Sequence, residues 1–244
     1  MNQVLKAGGI DWTRALQDPG QVIGKSLTEH VHDVLFMAIV RGRIGPGQHL
    51  AEQPIADALG VSRISVRDAV RRLGADGFVV IYPNRGAFTI GFAPQDIEEI
   101  FSLRASLETL AIRRAAKTFG RTDEARLEEL IDEMRVIERG DDRFRGVEID
   151  ARFHETVMEI AGHRRAHSAW RTISAQITMA VYSATTYYED MDGLADRHQG
   201  IIDVLRAGDP DRAEAEIRAH IIFGSHQLLE AIGREQLLEP AARR

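Results

Sequence analysis

The feature that most constrains the fold is a single change of hydrophobic period near residue 78. Residues 78–82 and 87–90 are rich in β-branched and aromatic side chains, and residues 83–86 (Pro-Asn-Arg-Gly) separate them. This pattern predicts two strands joined by a tight turn. Two short helices, at about 51–59 and 63–74, come directly before it, and no other segment carries a comparable strand signal. The chain must therefore place one β-hairpin beside helices in an otherwise helical protein.

Helical periodicity dominates the rest of the chain and divides it into parts. An early helix starts at Ser26, with Glu29 as its capping partner three residues on. Beyond Pro94 the pattern predicts only helices, over residues 95–119, 123–139, 141–161, 164–189, 193–207 and 210–237. We predict a mainly α fold with a boundary near residues 91–94. Its parts are a loose extension (1–25), a domain of three helices and a hairpin (26–92), and an all-helical domain (93–244).

Charge is distributed unevenly between these domains. The chain has a formal net charge of −6, yet residues 1–92 carry ten Lys/Arg against eight Asp/Glu. Five arginines within residues 63–85 accompany only two acidic residues, Asp68 and Asp76. A locally basic segment in an acidic protein is typical of a small DNA-binding module joined to a larger domain. Ordinary surface variation also produces such asymmetry, so charge alone does not decide the function.

The absence of cysteine and of long apolar segments limits the class of protein. With no Cys, the chain forms neither disulfide bonds nor thiolate-bound zinc sites. No apolar run approaches the roughly 20 residues needed to span a bilayer. The N-terminus also lacks the charged-then-apolar order of a secretory signal. We expect a cytoplasmic protein with no membrane partner.

Three short helices followed by a hairpin match the winged helix-turn-helix, whose second paired helix lies in the major groove of DNA. Gly60 permits the tight turn between the paired helices. The residues expected to contact DNA are Ser62, Arg63, Ser65, Arg67 and Arg71 on the second helix and Arg85 and Gly86 at the hairpin tip. Arginine binds guanine or phosphate, and a serine hydroxyl suits phosphate. The alternative is a helical hairpin with merely solvated arginines, which the adjoining strands disfavour.

Four polar residues of the helical domain have the surroundings of metal ligands. Asp150 and His154 are four apart on a strong helical pattern, so their side chains share one face. His198 and His220 each lie among apolar residues at helical spacing. The four side chains could converge within a bundle as a mixed nitrogen and oxygen site. Taken singly, each histidine is more typical of a hydrogen-bonded core residue.

A second pair of histidines offers a rival site. His163 and His167 are also four apart. Gly162 precedes the pair and two arginines lie within it, which indicates a solvated helix start. Spacing alone leaves both sets open.

The N-terminal segments resemble the GntR family of regulators. The resemblance covers about residues 27–90 and rests on residues 40–47 (Val-Arg-Gly-Arg-Ile-Gly-Pro-Gly), 59–63 (Leu-Gly-Val-Ser-Arg), 66–73 (Val-Arg-Asp-Ala-Val-Arg-Arg-Leu) and 83–87 (Pro-Asn-Arg-Gly-Ala). It implies that Arg63 and Arg67 contact DNA, that Ser62 and Ser65 assist, and that Gly86 lies in the wing. Ile64 departs from the Thr that relatives commonly carry. The preference at the base pair it faces is therefore open, and Ile64 could pack on a thymine methyl.

The helical domain resembles the FCD effector domain, the C-terminal half of FadR-type GntR proteins. This resemblance rests on residues 150–154 (Asp-Ala-Arg-Phe-His), 198–201 (His-Gln-Gly-Ile) and 218–220 (Arg-Ala-His). It implies an antiparallel helical bundle that binds a divalent metal. The implied ligands are Asp150, His154, His198 and His220. That ligand set suits Zn²⁺, Ni²⁺ or Mn²⁺.

Arg104 matches an arginine that such domains often point into their pocket, where it would grip a carboxylate. The alternative for Arg104 is a surface salt bridge to Glu99 or Glu108. We expect a dimeric, non-enzymatic repressor whose affinity for a palindromic operator is modulated by a small carboxylate-type metabolite. Two alternatives stay open: the metal itself is the signal or a structural clamp, or, with Glu155 as the nearby carboxylate, the site is a metalloenzyme.

Overall fold

The computed structural model describes residues 10–16, 26–138, 143–184 and 193–238. The chain divides into two compact units, Met1–Gly91 and Phe92–Arg244. The described residues form ten helices and one two-stranded antiparallel sheet. The predicted class, a mainly α protein with a winged helix-turn-helix and a helical bundle, is confirmed.

The first unit holds four helices and the hairpin. Its elements are α1 (Trp12–Ala15), α2 (Leu27–Val40), α3 (Glu52–Leu59), α4 (Arg63–Ala75), β1 (Val79–Tyr82) and β2 (Gly86–Thr89). Ser26 and Glu29 form the predicted capping box at the start of α2, in which each backbone N–H donates to the other's side chain. Helix α2 packs on α4, and apolar side chains from both are fully buried between them.

Helix α1 differs from the expectation of a loose N-terminal extension. Asp11 caps this single turn by accepting a hydrogen bond from the Arg14 N–H at 3.1 Å. Ala15 and Leu16 are buried, and α1 packs on α3. The turn is too short to show a period in the sequence. The rest of the predicted extension, residues 1–9 and 17–25, lies outside the described residues.

The hairpin follows α4 directly. Its register pairs Val79 with Thr89 and Tyr82 with Gly86, so β2 starts one residue earlier than predicted. Thr89 is buried and ties the wing to the loop after α2, because its hydroxyl donates to the Gly45 carbonyl at 2.6 Å and accepts from the Gln48 N–H at 2.9 Å. These bonds fix the base of the wing on its own unit.

The second unit is a helical bundle. Its helices are α5 (Pro94–Ala115), α6 (Arg121–Glu138), α7 (Arg143–Ile160), α8 (Arg164–Ala184), α9 (Leu194–Ala207) and α10 (Pro210–Leu238). Helix α5 packs against α7, α8 and α10, while α6 packs against α7 and α9. Aliphatic side chains with Phe101, Phe153 and Trp170 form one continuous core. This arrangement directs α5, α7, α9 and α10 toward a shared interior.

Helix ends in this unit differ modestly from the predicted ones. Asp96 lies inside α5 and accepts the Ala93 N–H at 2.7 Å, while Asp123 lies inside α6 and accepts the Gly120 N–H at 3.2 Å. Helix α5 ends at Ala115, four residues before the predicted end. Residues 185–189, in the last part of the predicted fourth helix, lie outside the described residues. Within the described part of the chain, no helix combines the length and apolar character needed to cross a membrane.

Candidate DNA interface and metal centre

The turn between α3 and α4 sets the position of the candidate recognition helix. Gly60 ends α3 with φ of +64°, a left-handed conformation that side-chain-bearing residues disfavour. Ser62 then caps α4, since its Oγ accepts the Ser65 N–H at 3.1 Å. The two serine hydroxyls lie 2.9 Å apart. Both predicted serines therefore stabilise the N-terminus of α4, where backbone N–H groups favour an anion such as phosphate.

The outward face of α4 carries the predicted arginines. Arg63, Arg67 and Arg71 are exposed, whereas Val66, Ala69, Val70 and Leu73 on the opposite face are buried. Ile64 is also exposed, at 69%. The face combines cationic groups with one apolar group at the N-terminal end of the helix. Phosphates and guanine edges are partners for the cationic groups, and the thymine methyl is a partner for the apolar group.

An acidic side chain of the neighbouring helix α3 pairs with the arginines of this face. Glu52, in the first turn of α3, accepts from Arg67 through both oxygens, with Nε at 2.8 Å and Nη2 at 2.7 Å. Arg63 Nη2 lies 3.4 Å from Glu52 Oε2. The hydrogen bonds from Arg67 lower the pKa of Glu52, and the same bonds raise the pKa of Arg67. No sequence pattern singles out Glu52, which lies 15 positions before Arg67.

Two residues at the wing tip, Arg85 and Gly86, each lie close to a ring. Arg85 lies over the Tyr82 ring, 5.8 Å from its centroid, and both side chains are exposed. Gly86 has φ of +93°, and a Cβ there would lie 2.4 Å from His49 Nε2. The His49 ring packs on Phe88 of β2 with centroids 4.9 Å apart. Glycine is therefore favoured at position 86 by its backbone conformation, and the ring beside it leaves little space for a Cβ.

The four predicted ligand residues come together in the second unit. Asp150 and His154 on α7, His198 on α9 and His220 on α10 each offer a nitrogen or oxygen atom, and these atoms lie within 4.8 Å of one another. His198 Nε2 is 3.0 Å from Asp150 Oδ1, and His154 Nε2 is 3.2 Å from His220 Nε2. His154 and His198 are fully buried. Three separate helices thus contribute to one cluster.

Acceptors behind two of the histidines fix which ring nitrogen faces the cluster. His154 Nδ1 lies 2.7 Å from Glu108 Oε2, and an ionised carboxylate only accepts, so Nδ1 carries the proton. His198 Nδ1 lies 2.8 Å from the Leu194 carbonyl and donates to it for the same reason. In both rings Nε2 is left with a lone pair directed at the cluster. This arrangement, a ligand imidazole held from behind by an oxygen, is typical of metal sites.

Glu108 lies directly behind the cluster, although the sequence suggested it only as a surface partner of Arg104. It is fully buried on α5 and accepts from three groups: Arg104 Nε at 2.8 Å, Trp170 Nε1 at 2.7 Å and His154 Nδ1 at 2.7 Å. The predicted alternative of a salt bridge between Arg104 and Glu108 is therefore present, but in the interior, since Arg104 is only 6% exposed. A Glu four residues after an Arg gives no sign of burial in the sequence.

The charges of this interior favour a bound cation. Burial would raise the pKa of Glu108, but the Arg104 charge and the bond from His154 hold that pKa well below its ordinary value. Asp150 behaves similarly: burial is outweighed by its histidine and arginine neighbours, and its pKa is lowered. Burial lowers the pKa of His154 and, well below the ordinary value, that of His220. Two carboxylates and one guanidinium together contribute one net negative charge to this interior.

The donor set fits a divalent metal ion. His198 Nε2 and His220 Nδ1 are buried without a hydrogen-bond partner among the described residues, and such orphaned polar atoms are costly in a protein interior. The lone pair of His198 Nε2 faces the Asp150 carboxylate at 3.0 Å, and a cation between them would replace their repulsion by attraction to both. Three imidazoles and a carboxylate suit Zn²⁺, Ni²⁺ or Mn²⁺. The structure thus provides the ligand types, the lone-pair orientation and the charge that such an ion requires.

A cavity of about 80 Å³ adjoins the cluster. Asp150, His198 and His220 line it together with Arg104, and its other walls include Phe101, Val147, Val181, Leu194, Ile221 and Phe223. Arg104 donates its Nε–H to Glu108, which leaves its Nη donors for a ligand. A small molecule here would meet ion-binding groups on one side and apolar walls on the other.

The rival histidines have ordinary structural roles. His163 Nδ1 accepts the Ala166 N–H at 3.3 Å and so caps α8. His167 Nε2 lies 3.3 Å from Glu155 Oε1. Glu155 therefore faces His167 and is not directed at the cluster, as expected from its position next to His154. Neither rival histidine belongs to the group of described residues that could hold a metal ion.

Comparison with known proteins agrees with both halves of this description. The model of the bacterial regulatory proteins of the gntR family matches residues 27–89, and the FCD domain model matches residues 99–223. The chain belongs to the GntR family, in the branch with an FCD domain. This GntR-family protein is therefore a DNA-binding transcriptional regulator, and its helical unit is an FCD domain.

Individual relatives are regulators too. The chain is 29% identical to the "Probable D-xylose utilization operon transcriptional repressor" of Paenarthrobacter nicotinovorans, over 80% of this chain and 86% of the relative. It is 27% identical to the "Gluconate operon transcriptional repressor" of Bacillus subtilis, over 79% of this chain and 78% of the relative. A crystal structure of a GntR transcriptional regulator from Rhodococcus sp. RHA1 matches with a TM-score of 0.69 and 26% identity, covering 85% of this chain and 99% of that one.

Proposed function

We propose that this protein is a homodimeric repressor of a palindromic operator, controlled by a small carboxylate-type metabolite that binds beside a divalent metal ion. One observation carries the proposal: in a chain with a winged helix-turn-helix, the FCD unit gathers Asp150, His154, His198 and His220 at the wall of a cavity that Arg104 also lines. Residues far apart in sequence thus come together beside a cavity in a DNA-binding protein, which supports a ligand site there.

DNA binding is assigned to the exposed face of α4 and to the wing. Arg63, Arg67 and Arg71 supply cations for guanine or phosphate, and the capped N-terminus of α4, with Ser62 and Ser65, faces phosphate. Arg85 and Gly86 at the wing tip enter the neighbouring minor groove. Two copies of this module would read successive major grooves roughly 34 Å apart. The operator is therefore expected to be a palindrome.

The metal is held by Asp150, His154, His198 and His220. A bound Zn²⁺, Ni²⁺ or Mn²⁺ supplies open coordination positions for the oxygens of a carboxylate or hydroxy acid. Arg104 pairs with a carboxylate through its remaining donors, and Glu108 keeps Arg104 and His154 in place. The apolar walls of the cavity select the carbon skeleton. One relative is named for a gluconate operon, which is consistent with a hydroxy-acid effector.

Effector binding is coupled to DNA binding through the dimer. A change in the bundle that alters the separation of the two winged units breaks their register with the grooves. A bias of about 1–3 kcal/mol between two states, typical of allosteric coupling, suffices to lower operator affinity 5- to 150-fold. Repression would be relieved when the acid is present.

The proposal is tested first on DNA. Repeated selection of bound duplexes from a random-sequence pool should enrich a palindrome, and the metal-loaded full-length protein should bind this duplex far more tightly than a shuffled one. Gluconate, citrate and malate are then titrated into the complex. One of them, or a related acid, should weaken operator binding, and Arg104→Lys should remove the response without loss of DNA binding. If no sequence is enriched, the proposed function is wrong.

The second candidate is a regulator for which the metal itself is the signal. His198 Nε2 and His220 Nδ1, which are buried and have no partner within the described part of the chain, favour it, because a metal-free site costs free energy that the ion would recover. Titration of Zn²⁺, Ni²⁺ and Mn²⁺ into metal-stripped protein separates the two. If the ion alone switches operator affinity and no acid changes it further, the metal is the signal.

A further inference from the structure

An acidic residue, Glu52, lies among the arginines of the proposed DNA face. A carboxylate repels phosphate, so a surface that bound only phosphate would not be expected to contain one. Glu52 is the only residue that hydrogen-bonds Arg67 in the described structure, and it lies at the start of the bracing helix α3. The exposed fraction of its side chain is 27%, against 47% for Arg67 and 56% for Arg63. The carboxylate thus lies beneath the two arginines that are expected to contact DNA.

The geometry of the pair divides the donors of Arg67 into two sets. Nε and Nη2 form a two-pronged contact with the two carboxylate oxygens, at 2.8 and 2.7 Å. A guanidinium has five N–H donors in a fixed plane, so this contact uses one edge and leaves the end edge, with Nη1 and the second Nη2 hydrogen, free for another planar acceptor. Guanine presents O6 and N7 in the arrangement that such an edge binds. The pairing therefore orients Arg67 for a base.

The same pairing weakens attraction to phosphate. The carboxylate cancels the charge of Arg67 and lies 3.4 Å from an Nη of Arg63. Binding that depends on neutralised phosphates is independent of sequence and varies steeply with salt. An acidic group at this position thus lowers the affinity for non-specific DNA more than it lowers the affinity for a site where Arg67 contacts a base.

We propose that Glu52 is a positioning residue that sets the sequence selectivity of α4, by holding Arg67 in a base-reading orientation and suppressing its contact with phosphate. This inference rests on the proposed DNA-binding function. It names a residue of the bracing helix, not of the recognition helix, as a determinant of operator choice.

The test compares Glu52→Gln with Asp57→Asn in the full-length protein. Both variants remove one negative charge from α3 with little change of shape. Asp57 is exposed and accepts from Gln53 Nε2 at 2.7 Å, so its loss leaves Arg67 untouched. Affinities for the duplex enriched by wild-type protein, and for a shuffled duplex of equal composition, are measured by fluorescence anisotropy from 50 to 250 mM KCl. Thermal melts followed by circular dichroism verify that each variant is folded.

Glu52→Gln should bind the shuffled duplex more tightly and reduce the ratio of specific to non-specific affinity about ten-fold, the value of one good bidentate base contact. The slope of log affinity against log salt on the shuffled duplex should steepen by about one unit, as expected for one added phosphate contact. Asp57→Asn should leave the ratio within about two-fold of wild type. A Glu52→Gln ratio equal to that of Asp57→Asn would overturn the proposal, as would an equal gain on both duplexes.

A double-mutant comparison tests whether Glu52 acts through Arg67. In an Arg67→Ala background, adding Glu52→Gln should change the specificity ratio by less than about two-fold, because the group being positioned is gone. A full ten-fold further loss would show that Glu52 contacts DNA independently and would contradict the positioning role. These results are distinct from failure of the proposed function, in which wild-type protein itself enriches no sequence.

Discussion

Glu108 on α5 connects this helix to α7 and α8, because its two carboxylate oxygens accept hydrogen bonds from residues of both. The sequence alone does not show that this residue is buried. Arg104 and Glu108 are four apart, the spacing of an ordinary solvated ion pair on a helix. In the structure, Trp170 from α8 and His154 from α7 cover the pair and bond to it. Burial of this kind is decided by contacts 46 and 62 residues away in the chain, so no local pattern predicts it.

Replacing Glu108 by Gln should impair metal binding without removing a ligand. An amide has one accepting oxygen, so it cannot serve both Arg104 and Trp170 on one side and His154 on the other. His154 then loses the bond that fixes its proton on Nδ1. We expect metal affinity to fall about 10- to 100-fold, as for other groups that hold a metal-binding histidine from behind. Competition with a chromophoric chelator measures the affinity.

The control for that experiment is His167→Ala, which removes a histidine outside the cluster and should keep wild-type metal affinity. Glu108→Gln also leaves Arg104 with a weakened partner, so unfolding in urea should show a loss of about 3 kcal/mol. Wild-type metal affinity in folded Glu108→Gln would show that Glu108 has only a structural role.

Ile64 yields a prediction on base preference. Its side chain is 69% exposed on the proposed DNA face of α4, so Ile64→Thr should not change stability measurably. The methyl-bearing Ile favours apolar contact with the C5-methyl of thymine, whereas Thr can also donate or accept a hydrogen bond. We expect a loss of about 1 kcal/mol of preference for thymine at one position of each half-site. Selection with both proteins, followed by sequencing, reports it; an unchanged motif would contradict the contact.

At the level of elements, local sequence predicted most helices because their ends carry their own signals. The Ser26 capping box and the left-handed Gly208 after α9 lie where the pattern placed them. The predicted starts of α5 and α6 differ from the observed ones, because the sequence pattern does not show from which helical position an acidic residue caps the helix. Asp96 and Asp123 act from the third helical position and reach back to a backbone N–H, so each helix starts two residues before its acid. Such shifts leave the face of a helix unchanged.

The wing depends on a contact that only the folded chain creates. Gly86→Ala places a Cβ 2.4 Å from His49 Nε2 in a backbone with φ of +93°. Either the ring or the strand must move, at a cost of about 1–3 kcal/mol. We expect a lower unfolding midpoint and at least ten-fold weaker operator binding, because the wing tip is displaced.

Gly45→Ala is the matched control for the wing. It lies in the same unit with an ordinary φ, and its Cβ would meet only Gln48 Cγ at 4.0 Å. It should retain both stability and operator affinity. Equal behaviour of the two variants would show that His49 and Gly86 do not constrain the wing.

For the whole molecule, the sequence placed candidate ligands on helix faces but could not give distances between helices. Asp150 and His154 share a face of α7 by spacing alone, whereas His198 and His220 join them only because α9 and α10 pack into the same bundle. Resemblance to the FCD domain supplied that long-range information before the structure did. The pattern of a single helix also could not distinguish these candidate ligands from His163 and His167. In the structure His163 caps a helix and His167 pairs with Glu155.

The proposed dimer needs a surface, and α5 offers one. Leu103 and Leu110 are two turns apart on this helix, with exposed fractions of 47% and 44%, while its other face enters the core through Ile97 and Phe101. A stripe of leucines opposite a buried face is the pattern by which helices pair with a second copy. Light scattering after gel filtration should give twice the chain mass of 27.2 kDa for the wild type.

The double variant Leu103→Glu/Leu110→Glu should elute as a monomer, because paired copies would bring four carboxylates into a desolvated contact. Since both side chains are exposed, helix content should not change. Operator affinity should fall more than ten-fold, as each monomer reads only one half-site. Val136→Glu is the control: Val136 is 67% exposed on α6, away from α5, and this variant should remain dimeric. A dimer that survives the double variant but dissociates with Val136→Glu would place the interface on α6.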